Sequence, residues 1–219
     1  MTPANNVLTA LAARAIADGL VGTARLLTGV EARWEGCRPA HRQRVFFANH
    51  ASHADTMLIW ASLRAGARVG TRPVARADYW QAGPIRRFVS RHVLGAVLVD
   101  TCVATRAEDP MDAMLTALDR GDSLIIFPEG TRNTSAEPLL PFKSGLYHLA
   151  CRRPDVELVP VWIRNAGRVL PKGEAIPIPW GCTVHFGAPL RLEPGEEKRV
   201  FLERARTALL SLDPSTRGA

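Results

Sequence analysis

Val45-Phe46-Phe47-Ala48-Asn49-His50-Ala51-Ser52-His53-Ala54-Asp55 is the stretch that decides how this 219-residue chain reads. Residues 45–48 form an apolar run short enough for a buried strand. A Ser/His/Asp-rich turn follows, and apolar periodicity then predicts a helix over residues 54–64. Strands are also expected at 69–75, 94–99, 124–127, 156–163 and 182–186. Helices are expected at 84–92, 110–119, 144–151 and 196–212, two of them opened by Pro84 and Pro110. The Gly- and Pro-rich segment 165–180 reads as a surface loop. Alternation of this kind predicts a single α/β domain, a mostly parallel or mixed central sheet flanked by helices, over residues 31–213. Residues 214–219 read as a frayed tail.

The composition is ordinary for a globular chain, with 47% apolar and 22% charged residues, which excludes disorder. The net charge of +7 favours anionic partners. Arginines are dispersed, with a modest cluster at Arg72, Arg76, Arg86, Arg87 and Arg91, and no Lys/Arg block of the nucleic-acid type occurs. Cys37, Cys102, Cys151 and Cys182 are far apart and form no Cys-x-x-Cys, which fits free thiols better than a disulfide framework.

Residues 1–30 predict an amphipathic helical segment. Arg14, Asp18 and Arg25 interrupt it, so it reads neither as a signal peptide nor as a transmembrane helix. At about 100° per residue the three charges fall on one narrow stripe, and Leu8, Ile16, Leu20, Leu26 and Leu27 point elsewhere. Such a helix suits a bilayer interface; packing on its own domain is the alternative, and the two are compatible.

His50 and Asp55 lie about 140° apart on a regular helix and cannot meet there. They meet if His50 sits in the loop leaving the strand and Asp55 in the first helical turn. Asp55 then fixes the tautomer, and the other imidazole nitrogen is free to take a proton from a substrate hydroxyl. Ser52-x-x-Asp55 also spells half of a capping box, a purely structural reading of the same carboxylate. A metal at His50, His53 and Asp55 lacks a completing ligand cluster. The second informative stretch is Phe127-Pro128-Glu129-Gly130-Thr131-Arg132. Pro128 ends a strand, Gly130 allows a tight turn, Arg132 offers a planar fork for phosphate, and Glu129 is placed to orient it or to contact a substrate. A solvated charged turn is the bland alternative. Gly121-Asp122-Ser123-Leu124 spells a lipase/esterase nucleophile motif, but it falls at the entry to a strand and lacks the late Asp-x-x-His, so it reads as chance.

The two stretches, in this order, resemble the glycerolipid acyltransferase family that includes the acyl-glycerol-phosphate acyltransferases. Asn49 to Asp55 fits its His-x-x-x-x-Asp block and Phe127 to Asn133 its Glu-Gly-Thr-Arg block. Phe142-Lys143-Ser144-Gly145 and Val159-Pro160-Val161 fit the later blocks. The resemblance covers about residues 40 to 190. It implies transfer of a fatty acyl group from acyl-CoA or an acyl carrier protein to a lysophospholipid hydroxyl, most simply lysophosphatidic acid to phosphatidic acid. It implies His50 and Asp55 as catalytic residues, and Glu129, Gly130, Thr131, Arg132, Arg106 and Lys143 as substrate-binding residues. No metal and no bound cofactor are expected, since the thioester is a co-substrate. The chain is expected peripherally at the cytoplasmic face of a membrane, with a phospholipid surface as partner and no nucleic acid. One departure concerns the acceptor: Val97-Leu98-Val99-Asp100 is followed by Thr101, where the family places an arginine. Arg106 then takes that place, or the acceptor is a different lyso-lipid or amine lipid. A CoA-independent transacylase is the rival enzyme; a non-catalytic membrane-surface protein leaves both charged blocks unexplained.

Overall fold

The computed structural model describes residues 3–40, 42–52, 54–100, 109–165 and 181–216. In chain order these are α1 (Pro3–Thr28), β1 (Glu31–Trp34), β2 (Arg44–Ala48), α2 (Asp55–Ser62), α3 (Ala65–Val69), β3 (Thr71–Arg76), α4 (Ala77–Gln81) and α5 (Pro84–Phe88), which runs on into a π turn (Val89–Val93). Then come β4 (Val97–Val99), α6 (Pro110–Asp119), β5 (Ser123–Ile126), α7 (Gly145–Arg152), β6 (Glu157–Arg164), β7 (Thr183–Phe186), α8 (Lys198–Leu210) and a 3-10 turn (Pro214–Thr216).

The strands form one sheet in the order β1-β7-β6-β2-β5-β3-β4. β6, β2, β5, β3 and β4 are mutually parallel. β7 runs antiparallel to β6 and parallel to β1, so β1 and β7 point the other way. The sheet is therefore mixed, as the sequence led one to expect. The carboxyl edge of the five parallel strands gathers His50, Phe127 and Arg76 along one rim.

β2 is buried at every position, because helices cover both faces and the strand alternates between two cores. Phe46 and Ala48 pack with Leu58, Ile59 and Trp60 of α2, with Val161 and Phe186, and with Val21 of α1. Val45 and Phe47 face Leu118 of α6, Leu146 and Leu149 of α7, and Phe201 and Leu209 of α8. Burying each such side chain stabilises the fold by about 1.5–3 kcal/mol.

Several boundaries moved. β1 has no strand signature in the sequence, because Glu31-Ala32-Arg33-Trp34 is half charged; among the described residues it is an edge strand whose alternate residues stay exposed. Val69 belongs to α3 and not to a strand, and Leu94, Gly95 and Ala96 precede β4 as a connection. The helix expected over 84–92 breaks into α5 and the π turn, in which the Leu94 N–H reaches back to Val89 O at 2.9 Å. The expected tail begins with an ordered turn, its Thr216 hydroxyl donating to Asp213 O at 2.8 Å.

Helix α1 docks through a face of small residues. Ala13, Val21 and Thr28 are buried, with Ala17 and Ala24 packed beside them. The charge stripe does not face solvent alone: Arg25 donates twice to Ala61 O, at 3.1 and 2.7 Å, and Asp18 pairs with Arg68 at 3.5 Å. Leu11, Ile16, Leu20, Leu26 and Leu27 are left exposed, Leu26 at 84%. Among the described residues no helix is long and apolar enough to cross a membrane.

Candidate active site

β2 ends at Ala48, and Asn49 continues its pairing with a side chain in place of a backbone. The Asn49 amide donates to Ile163 O at 3.1 Å and accepts from the Ile163 N–H at 2.8 Å. One more rung on β6 is thereby secured while the main chain turns away. The sequence signal for this role is a polar residue directly behind a fully apolar strand.

That turn brings His50 onto Asp55. Their Nδ1 and Oδ2 atoms lie 2.9 Å apart. The same Asp55 oxygen accepts the Ala51 N–H at 2.7 Å and the Ser52 N–H at 2.8 Å. The bond to Ser52 is one half of a capping box, so the structural and the catalytic readings are served by one atom. The other half is absent, since Ser52 Oγ accepts from Ala54 N at 3.2 Å. Asp55 is fully buried, and among the described residues its Oδ1 has no hydrogen-bond partner. With Asp55 accepting, the proton sits on Nδ1, and Nε2 is left as the acceptor. Phe127 stacks on the imidazole with ring centres 4.1 Å apart and planes 19° apart, fixing the plane in which Nε2 points.

The Glu-Gly-Thr-Arg turn grips the His50 peptide from both sides. Glu129 Oε1 accepts the His50 N–H at 2.8 Å, and the Asn133 N–H donates to His50 O at 2.6 Å. Glu129 Oε2 accepts the Leu140 N–H at 2.9 Å. Glu129 is 1% exposed, both of its carboxylate oxygens are committed to backbone donors, and among the described residues it forms no ion pair with Arg132. The expectation that it contacts substrate gives way to a bracing role. Burial raises the carboxyl's pKa, while the Leu140 and His50 amides pull it back.

The turn itself needs Gly130, whose φ of +72° is the left-handed region, and whose N–H returns to Phe127 O at 3.0 Å. A Cβ there would lie 3.1 Å from Lys143 Cγ, so the Lys143 stem flanks the turn. The Lys143 N–H donates to Pro128 O at 2.8 Å. Thr131, Arg132 and Lys143 are exposed around this loop. The structure thus brings together His50, Asp55, Glu129, Gly130, Thr131, Arg132 and Lys143. Arg106, Thr101 and His53 lie outside the described residues, and so does the 166–180 part of the expected loop. Among the described residues no cluster of three or more His, Cys, Asp or Glu is arranged to hold a metal.

Cys182 lies near Asp55, and its backbone N–H donates to Thr28 O at 3.0 Å. Burial and the Asp55 charge push its thiol up to about 11, which keeps it protonated and unreactive. Ser123, the residue of the lipase-like spelling, is buried at the start of β5 and accepts the Arg44 N–H at 3.0 Å.

Known proteins resemble the chain in sequence and in fold. A family model described as Acyltransferase matches residues 32–164, from β1 to the end of β6. A 1-acyl-sn-glycerol-3-phosphate acyltransferase of Cocos nucifera is 31% identical over 177 residues, covering 76% of this chain and 52% of its own length. One of Limnanthes douglasii is 27% identical over 168 residues, covering 75% of this chain and 56% of its own. The chain therefore spans little more than half the length of these curated relatives. Among solved structures, the 1-acyl-sn-glycerophosphate (LPA) acyltransferase of Thermotoga maritima superposes with a TM-score of 0.71 over 95% of this chain and 82% of that one. At 20% identity that likeness is one of fold.

Proposed function

The chain belongs to the Acyltransferase family, and on that premise we propose that it moves a fatty acyl group from acyl-CoA or an acyl carrier protein thioester to the hydroxyl of lysophosphatidic acid. The observation that carries this reading is the His50–Asp55 contact at 2.9 Å, held by a peptide pinned on both sides by the Glu129 segment. Nε2 takes the proton of the acceptor hydroxyl as its oxygen attacks the thioester carbonyl. Asp55 steadies the imidazolium that forms. Collapse of the tetrahedral intermediate breaks the C–S bond, and the imidazolium returns its proton to the leaving thiolate, so one free thiol appears per ester made. Arg132 and Lys143, with the Thr131 amide, are assigned to the acceptor phosphate, and Arg106 to the same task; Gly130 supplies the turn, since its own N–H is held by Phe127 O. The scheme draws on no metal and no bound cofactor.

The exposed leucines of α1 are read as the face that lies in the bilayer interface, so the enzyme works as a peripheral protein at the cytoplasmic face of a phospholipid membrane. Nucleic acid has no part in the reading. The test mixes the purified chain with liposomes containing lysophosphatidic acid and palmitoyl-CoA and follows free thiol. Release should require the acceptor and should fall by about 10²-fold or more in His50→Ala with the melting temperature unchanged. Full turnover by His50→Ala removes the mechanism. Release with another lyso-lipid alone moves the acceptor, and silence with every acceptor and both donors removes the activity.

A further inference from the structure

Helices α4 and α5 carry an apolar and basic surface that no step of the chemistry uses. They leave the sheet at the carboxyl end of β3, on the same rim as His50. Ile85 is 79% exposed and Tyr79 40% exposed, although both are apolar enough to be drawn inward. The Arg86 guanidinium lies 4.5 Å from the Tyr79 ring centre. Arg86, Arg87 and Arg91 are exposed, and none forms an ion pair among the described residues. Arg76 differs, because Asp78 neutralises it. The π turn that continues α5 packs directly on α1, which joins this surface to the helix whose leucines face outward.

We propose that Tyr79, Ile85, Arg86, Arg87 and Arg91 form a second membrane-contact surface, selective for anionic phospholipid headgroups. The proposal rests on the reading of α1 as an interfacial helix and adds the lipid class and a second point of contact. Ile85 enters the boundary between headgroups and acyl chains, Tyr79 lies at headgroup level, and the three arginines meet phosphates while their stems cover apolar surface. An acidic protein could meet the same arginines. It would leave the adjoining α1 leucines in water, whereas a bilayer covers both. Two contacts fix a plane where one helix alone allows rolling, so the His50 rim is held at a set angle to the lipid surface.

Flotation of the full chain with vesicles tests this without any turnover. Wild type should partition more strongly onto an equal phosphatidylcholine and phosphatidylglycerol mixture than onto phosphatidylcholine alone, and salt should erase the preference. Arg86→Glu/Arg87→Glu should lower partition onto the mixed vesicles by about tenfold or more and leave phosphatidylcholine partition within about twofold. Ile85→Ser should weaken both several-fold. All these side chains are exposed, so unchanged melting curves are expected and exclude misfolding. Wild-type partition of the double variant onto mixed vesicles overturns the proposal. So does a double variant that binds vesicles normally but loses turnover only with an acyl carrier protein donor, which would make the surface a protein dock. If the wild type is inactive with every acceptor and yet prefers anionic vesicles through Arg86 and Arg87, the surface stands and the acyltransferase reading falls.

Discussion

The His50 corner and helix α1 are both attached to the same sheet, but by different physical means. Around His50, nearly every polar group is matched to a directional partner. Asp55 Oδ2 takes three donors, Glu129 two, Asn49 closes a ladder rung, and the His50 carbonyl is held by Asn133. Along α1, attachment comes from a seam of alanines and a valine, with the Arg25 fork as its main directed contact. Hydrogen bonds fix angles and distances, so they appear where an imidazole must point one way. Apolar area fixes only proximity, which suffices for the interfacial role proposed for α1.

The contrast can be broken first at Asp55. Asp55→Asn keeps an oxygen for the three donors but places an NH2 in the buried spot where Oδ1 has no partner, so stability should fall by about 1–3 kcal/mol with the fold retained. Activity should fall by about 10²–10⁴-fold, because the charge that steadies the imidazolium is gone. Parallel thermal melts and thiol release check it, and equal losses in both would show that Asp55 is a cap and nothing more.

Glu129→Gln sharpens the contrast at a smaller scale. Glutamine presents one acceptor and one donor to two N–H groups, so His50 should loosen and kcat fall by about tenfold with folding retained. The pH dependence has a definite sign. Burial raises the folded-state pKa of Glu129 above its unfolded value. Its contribution to stability is therefore complete below the unfolded value and is lost as pH rises through the folded one. The melting temperature of Glu129→Gln should gain on wild type as pH rises through the weakly acidic range, in chemical-denaturation or thermal series at fixed salt.

The smallest effect is expected on the other side of the comparison. Leu26→Asp alters an 84% exposed side chain, so melting and turnover of detergent-dispersed substrate should be unchanged, while flotation with vesicles should drop several-fold. A destabilised variant would mean that α1 packs where it looks bare.

The corner was the legible part. An apolar tetrad, a turn of Ser, His and Asp, and an acid placed in the first helical turn all carry local signatures, and a second strand ending at Pro128 marks its partner. What escaped was the identity of each polar group's partner. Glu129 reads as a charged turn residue, and only the fold shows it turned inward onto His50 and Leu140. The stripe of Arg14, Asp18 and Arg25 reads as a wet face, because helical periodicity groups residues without naming what they meet; Ala61 O and Arg68 are supplied by α2 and α3. β1 escaped for a related reason: its pattern is weak, and among the described residues its one strand neighbour, β7, lies far along the sequence.

That last pairing bears on how the chain is made. Glu31 waits for Thr183 and Trp34 for Phe186. At synthesis speeds of about 5–20 residues per second, roughly eight to thirty seconds separate the two strands as they leave the ribosome. Throughout that interval β1 has an open edge and α1 has no finished sheet to lie on. The sheet can close at this end only after nearly the whole described chain has left the ribosome.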